Sequence, residues 1–164
     1  MESNKFNTVL GLLRLSMGLI FLWAFFDKLL GLGFATTPDK SWLSGGSPTT
    51  GFLQNAVHGP FANFYHSLAG SGLVDWTFMI GLLSIGAALT LGIKVKINTF
   101  LGAFLLFLMY TAIGLPPENH PFIDEHFIYV LVMLLLMVSD SGKYFGFGIA
   151  WAQTSFVQKY PILK

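Results

Sequence analysis

The sequence contains no cysteine. That excludes disulfides, thiolate metal sites, iron–sulfur clusters, a redox dithiol and covalently attached c-type haem. Charge is almost as scarce: Asp, Glu, Lys and Arg make up 10% of the 164 residues, against about 25% in a soluble domain. The formal net charge is only +1, so there is no basic excess to recruit a nucleic acid. What fills the chain instead is apolar. It is 54% hydrophobic, with a mean hydropathy of +0.66. This composition implies an integral membrane protein of one domain, with the lipid bilayer as its surroundings.

The chain is organised around the stretch Leu10 to Gly33, LGLLRLSMGLIFLWAFFDKLLGLG. Arg14, Gly18, Phe21, Phe25 and Lys28 are spaced to share one helix face. At the rise of an α-helix, Arg14 and Lys28 lie roughly 21 Å apart along the axis. The hydrocarbon core is about 30 Å thick, so both cations fall at or just inside its edges. Two readings stay open. They anchor the helix by snorkelling to headgroups, or their face looks into a helix bundle and offers positive charge to an anion. No small-residue cleavage site follows this run, so it reads as a retained span and not a signal peptide.

The expected architecture is an all-α, four-transmembrane-helix bundle with spans at about 7–30, 76–93, 97–115 and 124–139. The connection 31–75 is long. Within it SWLSGGSPTTGFL reads as loop, and Pro60 to Leu68 as a short amphipathic helix with Phe61, Phe64, Tyr65 and Leu68 on its apolar face. That helix either lies on the bilayer or caps the bundle mouth. Gly81, Ser84, Ala88 and Gly92 read as a small-residue seam for close helix packing. Lys94 and Lys96 make a tight turn, and Pro116-Pro117 stop the third span. The tail 142–164 mixes aromatics and lysines as an interfacial segment does.

Lys94, Lys96, Lys143, Lys159 and Lys164 fall on one side, whereas PPENHPFIDEH on the other has no lysine or arginine. The positive-inside rule then places both termini in the cytoplasm and the long connection outside. All four histidines (His58, His66, His120, His126) share that outer face with Asp75, Glu118, Asp124 and Glu125. The expectation is that these titratable groups meet at one mouth. The densest cluster is Asp124-Glu125-His126. It has three readings: helix capping, proton handling beside a redox or transported molecule, and a metal site of His and carboxylate ligands. No metal-binding spacing supports the last. No histidine lies deep in a span, as a membrane-embedded bis-histidine haem requires.

Four stretches together resemble the DoxX family of small four-helix membrane proteins: LLRLSMGLIFLWAFFDKLLG, GFATTPDKSWLSGGSPTTGFL, VDWTFMIGLLSIGAALTLGIKVK and ENHPFIDEHFIYVLVMLLLM. The likeness covers nearly the whole chain, 1–164 as one DoxX-like domain. The long first connection makes it most similar to the DoxD branch, the membrane subunit of thiosulfate:quinone oxidoreductase. The matching elements are Arg14 and Lys28, the Gly-rich second helix, and Asn119, Pro121, Phe122, Asp124 and His126.

The resemblance implies a subunit in the inner (cytoplasmic) membrane that carries electrons from thiosulfate to quinone. It also implies a partner chain and no haem, iron–sulfur cluster or metal in this one. Candidate residues for binding the dianion and the quinone are then Arg14, Lys28, Trp42, Tyr65, His66 and Tyr129. Asp124, Glu125 and His126 are the candidates for relaying the two protons that quinone reduction consumes. Two other roles compete: a non-catalytic accessory subunit of a membrane respiratory complex, and a small transporter. A transporter predicts an inverted repeat with broken helices, and the two hairpins do not read as copies.

Overall fold

The computed structural model describes residues 2–113, 115–117, 120–160 and 163. Among these residues eight α-helices follow in chain order: α1 (Glu2–Leu30), α2 (Thr50–Asn55), α3 (Ala62–Ser67), α4 (Gly72–Leu91), α5 (Val95–Ile113), α6 (Glu125–Val138), α7 (Gly148–Ala152) and α8 (Ser155–Lys159). Short 3-10 turns occupy Pro38–Lys40, Trp42–Ser44 and Ser141–Lys143, and no strand occurs among the described residues.

Among the described residues three helices, α1, α4 and α5, are long and apolar enough to cross a membrane. The fourth expected span is apolar but shorter, with 14 helical residues in α6, about 21 Å of rise. Large apolar side chains face outward on all four helices, among them Ile20 and Trp23 of α1, Ile80 of α4, Phe100 and Phe104 of α5, and Leu131 and Leu135 of α6. Such a surface suits a bilayer as solvent.

The pairings are antiparallel. On α1 and α4, Gly18 lies against Leu89 and Thr90, Gly86 against Leu22, and the Lys28 ammonium 5.9 Å from the Phe78 ring centre. On α4 and α5, Ser84 Oγ donates to Asn98 Oδ1 at 2.9 Å. On α5 and α6, Met133 seats on Gly102, and the Tyr110 and Phe127 rings meet at 5.6 Å. The core between the helices is built from Met17, Phe21, Phe25, Met79, Ile85, Leu89, Met133 and Leu136. The end carrying the α4–α5 turn and the tail is here called the hairpin end, and the opposite one the loop end.

Helix boundaries follow local chemistry. Gly92 takes a left-handed φ of 73°, and the Ile93 N–H turns back to Ala88 O at 3.1 Å, which closes α4 one residue earlier. Asp124 caps α6, its Oδ1 accepting from Phe127 N at 2.9 Å.

Three expectations are corrected. The end of the SWLSGGSPTTGFL stretch, read as loop, is helical and opens α2, Thr50–Asn55. Its order comes from tertiary burial of Leu53 beside Val57, Tyr65 and Ala112 in a second small core, which local propensity does not reveal. On α3 only Tyr65 is buried, while Phe61 and Phe64 are exposed. The seam of Gly81, Ser84, Ala88 and Gly92 does not act as one unit. Ala88 and Gly92 are buried, but nothing lies within 4 Å of a Cβ built on Gly81. The close approach to α1 falls instead on Gly86.

Candidate functional site

Where Gly81 and Ser84 leave space, α4 and α5 enclose a cavity of about 760 Å³. Its walls are apolar: Phe78, Ile80 and Ile85 from α4, with Leu101, Phe104, Leu105 and Leu108 from α5. The polar lining is sparse: Lys28 of α1, Thr49 beneath the roof, Tyr65 of α3, and Thr77 and Ser84 of α4. An apolar cleft with a few convergent polar groups is the usual form of a small-molecule site.

The long connection roofs this cavity, and specific bonds hold it there. The Asp75 carboxylate, at the start of α4, accepts from Ser47 Oγ at 2.8 Å and Thr49 Oγ1 at 2.5 Å. Tyr65 Oη donates to Leu108 O at 3.1 Å and lies 2.6 Å from Thr111 Oγ1. His58 N donates to Ala112 O at 3.1 Å, and His66 Nδ1 lies 2.8 Å from Leu53 O, joining α3 to α2. These bonds tie the segment to α4 and α5 at the loop end.

No family model, curated protein or solved structure matches this chain. Function therefore rests on what the residues can do where they stand.

The structure brings only Lys28 and Tyr65, of the nine candidate residues, to the cavity. Arg14 is fully buried at the hairpin end, far from the roof. Its five N–H donors go to backbone carbonyls: Nε to Ser141 O at 3.2 Å, one Nη to Leu89 O and Thr90 O, the other to Tyr144 O at 2.8 Å and Phe145 O at 3.0 Å. Leu89 and Thr90 end α4, where carbonyls lack helical partners and the dipole is negative. The inward reading thus holds for Arg14, but its donors clamp backbone and none remains for a substrate anion.

Trp42 packs edge-on against Trp76, with ring centres 4.6 Å apart. Tyr129 packs on the main core from α6. His66 is taken up by Leu53 O. His126 Nδ1 lies 2.8 Å from Asp124 Oδ2, and Glu125 is exposed beside them. Ligand atoms of these three residues lie within 4.8 Å of one another, close enough to share a proton or an ion. Asp124 also caps α6, so the capping reading accounts for one of its oxygens. Glu118 and Asn119 lie outside the described residues.

The expected meeting of titratable groups at one mouth is replaced by separate local bonds. His58 bonds Ala56 O, His120 accepts from Phe122 N and Ile123 N, and His126 pairs with Asp124. Each of these histidines bonds within three residues of its own position in the chain. Two residues outside the candidate set matter more. Asp75 fastens the roof. Asp27, buried at 2% exposure, accepts from Phe34 N at 3.2 Å and Ala35 N at 3.0 Å and shapes the exit from α1. The signal for Asp27 is an acid inside an apolar span one residue before a lysine.

Proposed function

We propose that this chain is the quinone-binding membrane subunit of a redox complex. The observation that carries the proposal is the cavity between α4 and α5. It offers apolar walls for a ring and isoprenoid tail, and the Lys28 ammonium and the Thr77 hydroxyl as donors to carbonyl oxygens. Ile80, Leu101 and Phe104 line it and are also exposed on the outer surface, which supports entry from lipid. The likeness of the sequence to the DoxD branch supports thiosulfate as donor. Two thiosulfates joined by a new S–S bond release two electrons, and the quinone takes these with two protons to become quinol. A partner chain acts with this one in that reaction.

The same reading makes the protein a four-span bundle of the inner membrane with cytoplasmic termini. Apolar Phe122 and Ile123 before α6 support the fourth span, and Lys94, Lys96 and Lys143 at the hairpin end support the orientation. A second role, an accessory subunit of a respiratory complex, is favoured by one observation: Asp124 and His126 bind each other and cap a helix.

The test is purification from native membranes in mild detergent, with extraction of quinone and mass spectrometry of co-purifying chains. Stoichiometric quinone is expected from the parent. Gly81→Phe, which fills the cavity, and Lys28→Ala should lose it, while His126→Ala keeps it. A parent without quinone but with a constant redox partner would establish the accessory role instead.

A further inference from the structure

A second cavity, of about 250 Å³, lies at the hairpin end, remote from the roofed cleft. Its lining includes Gly92, Val95, Lys96, Asp140, Lys143 and Trp151. Lys94 is not in that lining, but its ammonium stands beside it, 5.5 Å from the centre of the Trp151 ring. Asp140 is the one carboxylate in the lining among the described residues, and its Oδ2 lies 2.5 Å from Lys143 Nζ. That pair is neutral. Lys94 and Lys96 form no ion pair among the described residues, so the cavity carries an excess of positive charge.

Its position is as telling as its charge. It sits where α4 and α6 end and where α5 and the aromatic-basic tail begin. Here tryptophan and lysine side chains meet the level of lipid headgroups. Lysines clustered just beyond membrane-crossing helices attract anionic headgroups. None of these residues takes part in the roofed cavity.

We propose that this cavity binds a phosphate-bearing anion, carried either on a phospholipid headgroup or on a small soluble molecule. Lys94 and Lys96 hold the charge, and Trp151 covers the ester carbons beside it. Asp140 limits affinity by occupying Lys143.

The experiment uses the full chain in detergent. Native mass spectrometry follows retention of phosphatidylglycerol against phosphatidylcholine, and a separate arm follows the thermal shift given by inorganic phosphate. Selective retention of phosphatidylglycerol is expected, falling about fivefold for each lysine changed to glutamine at 94, 96 and 143. Asp140→Asn, which keeps every lysine, should raise retention and so decides the matter even if the lysine variants fold poorly. A thermal shift with phosphate that needs the same lysines, without lipid retention, would assign the soluble source. Equal retention of both lipids, together with a phosphate response indifferent to the lysines and to Asp140, would overturn the proposal.

Discussion

The guanidinium of Arg14, in the first helix, donates to the carbonyl of Leu89 at the far end of α4. Thr90 O shares the same nitrogen, and Phe147 N takes Leu91 O at 2.8 Å. The last three carbonyls of α4 are therefore closed by groups distant in sequence. Arg14 is the only arginine in the chain, and the bundle uses it as a clamp.

Arg14→Lys keeps the charge but offers three donors in place of five. At least two buried carbonyls lose a partner, at about 1–3 kcal/mol each. Arg14→Met should cost more, because every carbonyl in the cage loses its donor. Thermal unfolding in detergent should rank parent above Arg14→Lys above Arg14→Met. Equal midpoints for parent and Arg14→Met would sink the clamp.

Gly86 and Gly81 make a paired test on one helix. A Cβ on Gly86 would sit 2.7 Å from the backbone nitrogen of Leu22, whereas one on Gly81 meets nothing within 4 Å. Gly86→Ala should destabilise by about 1–3 kcal/mol, the range for overpacking. Gly81→Ala should be neutral or stabilising, since alanine gains about 1 kcal/mol over glycine in a helix. Comparable losses at the two positions would contradict the open space at Gly81.

Asp75 decides how firmly the roof is held. Asp75→Ala frees the Ser47 and Thr49 hydroxyls from their shared acceptor. Amide exchange across residues 47–69 should accelerate while α5 and α6 keep their protection. The loss corresponds to about 1–3 kcal/mol of local stability. Unchanged exchange in the roof would show that its apolar core suffices without the anchor.

The Asp140–Lys143 pair sets a pH dependence at the hairpin end. The hydrogen bond from Lys143 holds the Asp140 carboxyl below the usual aspartate range, helped by the charges of Lys143 and Lys96. The same bond holds Lys143 above the usual lysine range. A depressed carboxyl contributes above its unfolded pKa and loses that contribution as pH falls through the folded value. A raised ammonium contributes below its unfolded pKa and loses it as pH rises through the folded value. The pair is thus complete near neutrality and fades at both extremes, with a small effect because both side chains are exposed. In Lys143→Gln the Asp140 titration, followed by carboxyl NMR, should move up. An unmoved midpoint would remove Lys143 as the cause.

Much of this was legible before any coordinates. Arg14, Gly18, Phe21 and Phe25 share one face as their spacing implies, because a helix repeats every 3.6 residues whatever surrounds it; that this face is buried came only from the tertiary structure. The Asp124 cap was readable for the same local reason. Trp42 and His66 were not: a side chain's neighbours across the fold leave no mark on its own segment, and both proved to be engaged elsewhere.

By itself, the sequence determined the apolar helices, their order, the stop at Pro116, and the bilayer they call for. These depend on composition and on periodicities of a few residues. Only the tertiary structure decided which glycine packs and which opens a cavity, where Arg14 spends its donors, and that Thr50–Asn55 forms part of a roof. These depend on which surfaces face each other, and two helices separated by a long loop carry no local record of that distance.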